Sequence, residues 1–432
     1  MRVMRKLSDG DPAAVARALR AAQPAPNEVA GPVAAIVAEV EAGGDEAVRA
    51  LTRKLDGVEP PSMPRVPAAE IEAAAAAAPA ELREALETAA ANVRAVADAE
   101  LAAIAAVDVE LAQGQRVRIG DAPVAAVGVY APGGRAAYPS SVLMCCLPAR
   151  VAGVERIAVA SPPGPDGTVN PTVLAAAALA GVDEVYAAGG AQAIAALALG
   201  TQSLAAVDLI VGPGNRYVVE AKQLVSGRVG TDGIAGPSEL VVVADGGADP
   251  REVALDLCAQ GEHGIDGLLA AISPDGELLD AVAAAVEEIA LERPSVADAT
   301  VTLVEVADLD AALALADALA PEHLELQLAG ADEAIAAERV AGCVFVGAGG
   351  GTAFGDYAAG SNHVLPTGGA ARFGGPLGVR TFLRRTSVVS IDADAASRLA
   401  PTVATIAHAE GLPVHGESAR ARARDNDNQT DG

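Results

Sequence analysis

The chain of 432 residues contains no tryptophan, and Phe and Tyr together make up only 2% of it. With 51% hydrophobic residues, mostly Ala, Val and Leu, its cores have to be aliphatic. Its length is roughly two to three times that of a usual domain, so more than one core is expected. Basic charge is also short: 30 Lys and Arg stand against 57 Asp and Glu, a net charge of −27. Nucleic acid phosphates and anionic lipid heads are held first by Lys and Arg, so both are excluded as main partners. Long apolar runs are missing, because Ala-rich stretches such as 73–78 are cut by Pro and Glu before they could cross a bilayer. Residues 1–11 are charged and lack the apolar centre of a secretory signal, which leaves the cytoplasm as the expected location. Cys145, Cys146, Cys258 and Cys343 show no C-x-x-C spacing, and two are adjacent. Neither a disulfide framework nor a thiolate zinc site is expected, only reduced and mostly buried thiols.

Asp11 and Pro12 have the cap and first-turn chemistry of a helix over 13–22, so residues 1–27 read as a small helical arm. Pro24 and Pro26 punctuate it, and 29–106 then reads as helical with one break at Pro60, Pro61, Pro64 and Pro67. After Pro123 short Val/Ile runs end in glycine turns and precede helix-like segments: 124–130, 156–160, 184–186 and 207–211, then 240–243, 268–272, 301–304 and 343–346. Strand, glycine turn and helix in alternation predict an α/β fold of parallel sheets covered by helices, and the recurrence points to two similar units. From about 377 the chain reads helical again, and 417–432 is a polar tail expected to be disordered.

All five histidines, His263, His323, His363, His408 and His415, lie after residue 262, a clustering that points to a site. Asp249 and Pro250 open a helix that should reach 260–263, putting Gln260 and His263 on one face. An imidazole and an amide oxygen are both zinc donors, although a His at a helix end also serves simply to meet the partial charge of the last carbonyls. Glu322-His323 follows Pro321 and precedes an alternating strand over 324–328, so it reads either as an acid/base pair or as a solvated turn. Asp356 and His363 bracket a Gly-rich loop, where oxygen and nitrogen donors suit zinc and an Asx turn with a surface His is the plainer alternative. Glu410 and His415 flank Gly411 and Pro413 at a helix end, where a His is inert unless it reaches another subunit's site. No glycine turn reads G-x-G-x-x-G, so the residues alone do not name a dinucleotide.

Taken in order, the stretches GVYAPGGRAAYPSSVLM (128–144), AGGAQAIAALA (188–198), VGPGNRYVVEAK (211–222), GIAGPSEL (233–240), QGEHG (260–264), APEHLEL (320–326), GDYAAGSNHVLPTGGAARF (355–373) and AEGLPVH (409–415) resemble the histidinol dehydrogenase family. The resemblance covers nearly the whole chain, from Gly43 to His415. It implies a zinc ion bound by Gln260, His263, Asp356 and His415, the last from the second subunit of a homodimer. It further implies Glu322 and His323 as the catalytic pair, Ser238, His363 and Glu410 as additional substrate contacts, and Tyr130, Gln192 and Asn215 as NAD contacts. The implied architecture is two Rossmann-like α/β domains with small N- and C-terminal helical domains. The boundaries expected are 1–27 for the helical arm, 28–127 with 239–376 for the zinc and catalytic domain, 128–238 for the NAD domain, 377–416 for a helical dimerisation segment and 417–432 for the tail.

The implied reaction is the two-step NAD-linked oxidation of L-histidinol to L-histidine, with zinc holding the substrate's imidazole and amine. Gly261, where this family more often has Ala, is expected to loosen the helix end that carries two donors. The glycine-rich segment 347–355 is likewise expected to hold Asp356 less firmly. Other readings are a related zinc and NAD alcohol dehydrogenase for a non-imidazole alcohol, a zinc hydrolase with Glu322 as base, and an acidic binding protein without catalysis.

Overall fold

The computed structural model describes residues 1–7, 10–23, 29–59, 65–133, 137–233, 236–296, 298–336 and 338–423. Its strands are β1 (Arg2–Leu7), β2 (Val107–Glu110), β3 (Arg116–Pro123), β4 (Ala126–Tyr130), β5 (Arg156–Ser161), β6 (Glu184–Ala187) and β7 (Leu209–Val211). They continue as β8 (Gly230–Thr231), β9 (Glu239–Ala244), β10 (Leu268–Ser273), β11 (Thr300–Glu305), β12 (His323–Gln327), β13 (Cys343–Val346) and β14 (Leu383–Ser390). Two compact units result: residues 1–100 with 124–382, and residues 101–123 with 383–432.

The first unit holds two parallel sheets, in the orders β6-β5-β4-β7-β8 and β1-β11-β10-β9-β12-β13. The chain reverses its direction of travel across the sheet at β4 in one and at β9 in the other, so the repeated pattern in the sequence has a topological counterpart. Short aliphatic strands are buried on both faces, as parallel strands under helices must be. The helices start on repeated signals: Asp11, Asn170, Asn215, Asp249, Asp275 and Asp308 each accept a first-turn N–H, caps that stabilise helices by roughly 0.5–2 kcal/mol each.

The expected α/β class with parallel sheets is present, and several boundaries differ. The arm does contain a helix, Pro12–Ala21, but Arg2–Leu7 is an edge strand paired with β11, its Arg and Lys residues hiding the strand pattern while suiting an edge. Residues 28–127 do not all join the larger sheet. Helix Ala30–Leu55 packs Val33, Val40, Val48 and Leu51 into the core of the five-stranded sheet, because its apolar stripe meets Ile194, Leu197 and Leu204 there. That helix is also kinked at Gly44, whose φ of +58° suits glycine and whose missing Cβ makes room for Gln202. Gly261 is not loose: it is buried, and a Cβ there would come within 2.9 Å of Met1 Cε. Pro24, Pro26, Pro60, Pro61 and Pro64 lie outside the described residues.

The second unit has the antiparallel sheet β14-β3-β2 with helices Ala393–Ala409 and Pro413–Arg420. Residues 377–416 are therefore not purely helical. The run Thr386-Ser387-Val388-Val389 is rich in β-branched residues, and it pairs with a strand more than 260 positions earlier, as in the Arg385–Asp121 ion pair at 2.9 Å. Helix Pro413–Arg420 also runs into the segment expected to be disordered, and 424–432 lie outside the described residues.

A buried ion pair fixes the glycine turn after β7. Lys222 Nζ donates to Asp232 at 2.7 Å and to the Gly212 carbonyl at 2.5 Å, while Asp232 accepts the Gly212 N–H at 2.7 Å. Gly212 has φ +111° and no room for a Cβ against Tyr130. Lys222→Met leaves a buried carboxylate without its cation and should lower stability by roughly 3–5 kcal/mol, whereas adding Asp232→Leu should recover most of that loss. Urea unfolding of the two variants checks this, and equal losses in both would refute it.

Candidate active site

The turn that opens β12 creates the acidic-imidazole pair. Helix Leu309–Leu319 ends on Ala320 in the left-handed region, φ +48°, the one non-glycine residue with positive φ among those described, and Pro321 prevents the helix from continuing. Glu322 and His323 follow, both buried, so the pair is not a solvated turn. His323 Nδ1 lies 2.9 Å from the Glu239 carbonyl oxygen. A carbonyl only accepts, so Nδ1 carries the proton and Nε2 is left as the basic nitrogen, 3.7 Å from Asp356 Oδ1. Burial lowers the His323 pKa, against smaller opposing effects of Asp356 and Glu239, and keeps the ring neutral.

Glu322 is pushed well above the usual carboxylate range, mainly by burial. Its Oε2 accepts the Glu239 N–H at 2.8 Å and lies 2.8 Å from Ser238 Oγ, which is also 3.1 Å from Gln260 Oε1. One hydroxyl proton can serve only one of these acceptors at a time, which couples the carboxyl to the amide.

Asp249 caps helix Pro250–Gly261 as its signals predict, with Gln260 buried in the last turn, but the helix stops at Gly261, so His263 lies beyond it and does not share a helical face with Gln260. Gln260 Nε2 is 3.5 Å from Asp356 Oδ2, at the outer limit of a hydrogen bond. Asp356 stands in a short helix, Thr352–Tyr357, and not in an open loop. Desolvation raises its pKa, with His323 acting in the opposite direction. His263 is exposed, and its ring stacks on Tyr138 with centroids 6.5 Å apart. Its pKa is lowered first by desolvation and then by His323.

His363 Nδ1 donates to the Asp356 carbonyl at 2.9 Å, and its Nε2 therefore accepts from Ser141 Oγ at 2.9 Å. Burial drives the His363 pKa down to about 4. Ser238, Gln260, Glu322, His323, Asp356 and His363 thus converge on the amino edge of the six-stranded sheet. Tyr138 and Ser141, which follow the carboxyl end of β4, bring the five-stranded sheet against the same place.

Tyr130 ends β4 and accepts the Gly190 N–H at 3.1 Å; burial raises its pKa to about 12. Gln192 is buried one turn into the helix beginning at Gly190 and donates to Asp56 at 3.2 Å. Asn215 caps helix Arg216–Val225 through Tyr217 and Val218 N–H groups. Tyr130 ends β4 and Asn215 follows β7, the neighbouring strands at which the order of the five-stranded sheet reverses, the usual ligand position in a doubly wound sheet.

Glu410 and His415 belong to the second unit, where Glu410 caps helix Ala393–Ala409 and His415 lies in helix Pro413–Arg420, both exposed. Among the described residues no three His, Cys, Asp or Glu side chains close around a common metal position. What the chain does offer a divalent ion is an amide and a desolvated carboxylate side by side, with neutral imidazoles near them, a chemically suitable but incomplete set. Sequence reasoning missed Ser141, Tyr138 and Glu239, although all three lie inside the quoted stretches. Their roles come from partners up to 222 positions away in the chain, as with Ser141 and His363, so no local pattern marks them.

A family model described as histidinol dehydrogenase matches residues 19–423. A curated histidinol dehydrogenase of Gluconobacter oxydans is 46% identical over 92% of this chain and 94% of its own length. That of Cereibacter sphaeroides is 47% identical over 90% and 91%. The crystal structure of histidinol dehydrogenase from Elizabethkingia anophelis superposes with a TM-score of 0.89 at 31% identity, covering 97% of both chains. With a buried glutamate–histidine pair at its site and matches across almost its entire length, the chain belongs to the histidinol dehydrogenase family.

Proposed function

We propose that this protein oxidises L-histidinol to L-histidine in two NAD-linked steps through the aldehyde, as a cytoplasmic homodimer with one zinc ion per subunit. The observation that carries this reading is His323, neutral and with Nδ1 tied to the Glu239 carbonyl, so that Nε2, on the Asp356 side of the ring, is a poised base. In this reading Gln260, His263, Asp356 and the partner subunit's His415 would hold zinc, which when bound supplies a Lewis acid to anchor the substrate's imidazole and amine. Ser238, His363 and Glu410 complete the grip on substrate, and Tyr130, Gln192 and Asn215 contact NAD. Exposed Val388, Val389, Ile406, Leu412 and Val414 in the second unit supply an apolar surface suited to a second copy. A cytoplasmic location accords with the absence, among the described residues, of any helix long and apolar enough to cross a membrane.

His323 Nε2 takes the hydroxyl proton while the carbinol carbon gives a hydride to NAD⁺, leaving the aldehyde. Glu322, made more basic by burial, takes a proton from the water that adds to the aldehyde carbon, giving the singly ionised gem-diol. Loss of a second proton and a second hydride, the latter to another NAD⁺, leaves the carboxylate. Each histidinol therefore yields two NADH.

With zinc, NAD⁺ and L-histidinol, the purified protein should form two NADH per substrate consumed, measured by absorbance. Absence of NADH would overturn the oxidative reading in favour of a zinc hydrolase, and activity confined to other alcohols would select the non-imidazole alternative. His323→Gln should lower kcat by roughly 10²–10⁴-fold with little change in KM, and retention of full kcat would remove His323 from proton transfer. Mixing His415→Ala with Glu322→Ala protein should restore activity through hybrid dimers. Inactive but verified hybrids would count against a shared site.

A further inference from the structure

Glu325 is wholly buried in the middle of β12, between Val242 of β9 and Phe345 of β13. The alternating pattern of the strand would turn it to water in a one-faced sheet, but both faces here are covered. Its Oε1 accepts the Thr352 N–H at 2.7 Å and the Thr352 hydroxyl, at the start of the helix that carries Asp356; Gly351, the cap residue, has no side chain for that purpose. Its Oε2 has no hydrogen-bond donor among the described residues. Facing it is Asp256, one turn before Gln260 in helix Pro250–Gly261, whose carboxyl also lies against Gly351: a Cβ at Gly351 would stand 3.2 Å from Asp256 Oδ1.

Two carboxyl groups that meet inside a protein cannot both ionise unless a cation stands between them. Among the described residues no cation contributes here. Glu252, on the same helix as Asp256, adds further negative charge, Thr352 offers only its hydroxyl and N–H, and β9 and β13 present Val242 and Phe345 at this level. We propose that Glu325 and Asp256 share one proton, Glu325 donating it to the Asp256 carboxylate. This pair is the positioning device that locks the helices bearing Gln260 and Asp356 onto the strand that begins with His323. The positioning half rests on the reading of Gln260 and Asp356 as zinc donors, while the shared proton does not. Desolvation and the Asp256 charge push Glu325 from 4.5 to about 8, in keeping with a retained proton.

The sign of the pH effect follows. The folded chain holds a proton that the unfolded chain releases above pH 4.5, so the stabilisation is full below that pH and is lost as pH rises through about 8. Glu325→Gln keeps an acceptor for Thr352 and a donor for Asp256 with no proton to lose. Measured on the full-length chain, Tm of this variant minus that of the wild type should therefore climb between pH 4.5 and 8 and level off above. Asp256→Asn, which donates to an ionised Glu325, should give the same trend. A flat difference for both variants would overturn the shared proton. In calorimetric titration with zinc alone, Glu325→Gln should stay within about threefold of the wild type and Glu325→Met should bind about 10–100-fold more weakly. Wild-type affinity in a folded Glu325→Met protein would overturn the positioning role. If the wild type itself binds no zinc, the metal reading fails, and the Tm slopes still judge the proton pair.

Discussion

Every residue of β12 is buried, yet His323 and Glu325 on one of its faces are polar, and water cannot satisfy them. Each must find its partner in the protein. His323 finds the Glu239 carbonyl on β9, and Glu325 finds the first residue of helix Thr352–Tyr357. The packing of one strand therefore recruits β9 and a helix from the far side of the sheet, with Glu325 also facing Asp256 on a third element. Stability and site geometry are two results of the same demand.

The demand extends outward through Glu239. Its carboxylate holds Arg20 at 2.7 Å and accepts N–H groups from Glu322 and Gly368, while its backbone fixes His323 and Glu322. A helix near the start of the chain is thus tied to the residue that sets the tautomer of the imidazole. Because the ion pair is largely buried, losing Arg20 would leave Glu239 with only N–H partners, and the turn from Pro321 to His323 would lose its anchor.

Much of this was legible in the residues. The Asp249-Pro250 signal and the spacing of Gln260 and His263 led to a helix whose end meets the site, and the glycine turns marked the strands of both parallel sheets. What escaped depends on distant partners. β1 was hidden by the charges of an edge strand, β14 by a pairing with β3 far away in sequence, and the helix around Asp356 by glycines whose looseness is countered from below by Glu325. Glu325 itself looked like the polar half of an alternating strand, since alternation cannot tell water from a second buried layer.

The two parallel sheets present opposite edges to the shared crevice, and the helices beside them follow suit. At the carboxyl edge of the five-stranded sheet, helices Gly190–Leu199 and Arg216–Val225 begin with their partial positive poles, Tyr130 taking up the Gly190 amide and Asn215 those of Tyr217 and Val218. At the amino edge of the six-stranded sheet, helices Pro250–Gly261 and Leu309–Leu319 end; Arg20 and Arg372 take up the last carbonyls of the second, which leaves the end of the first as the partial negative pole. With several of those ends met by side chains, the polarity left at the site is that of the helix axes themselves, positive from the five-stranded sheet and negative from the end of Pro250–Gly261.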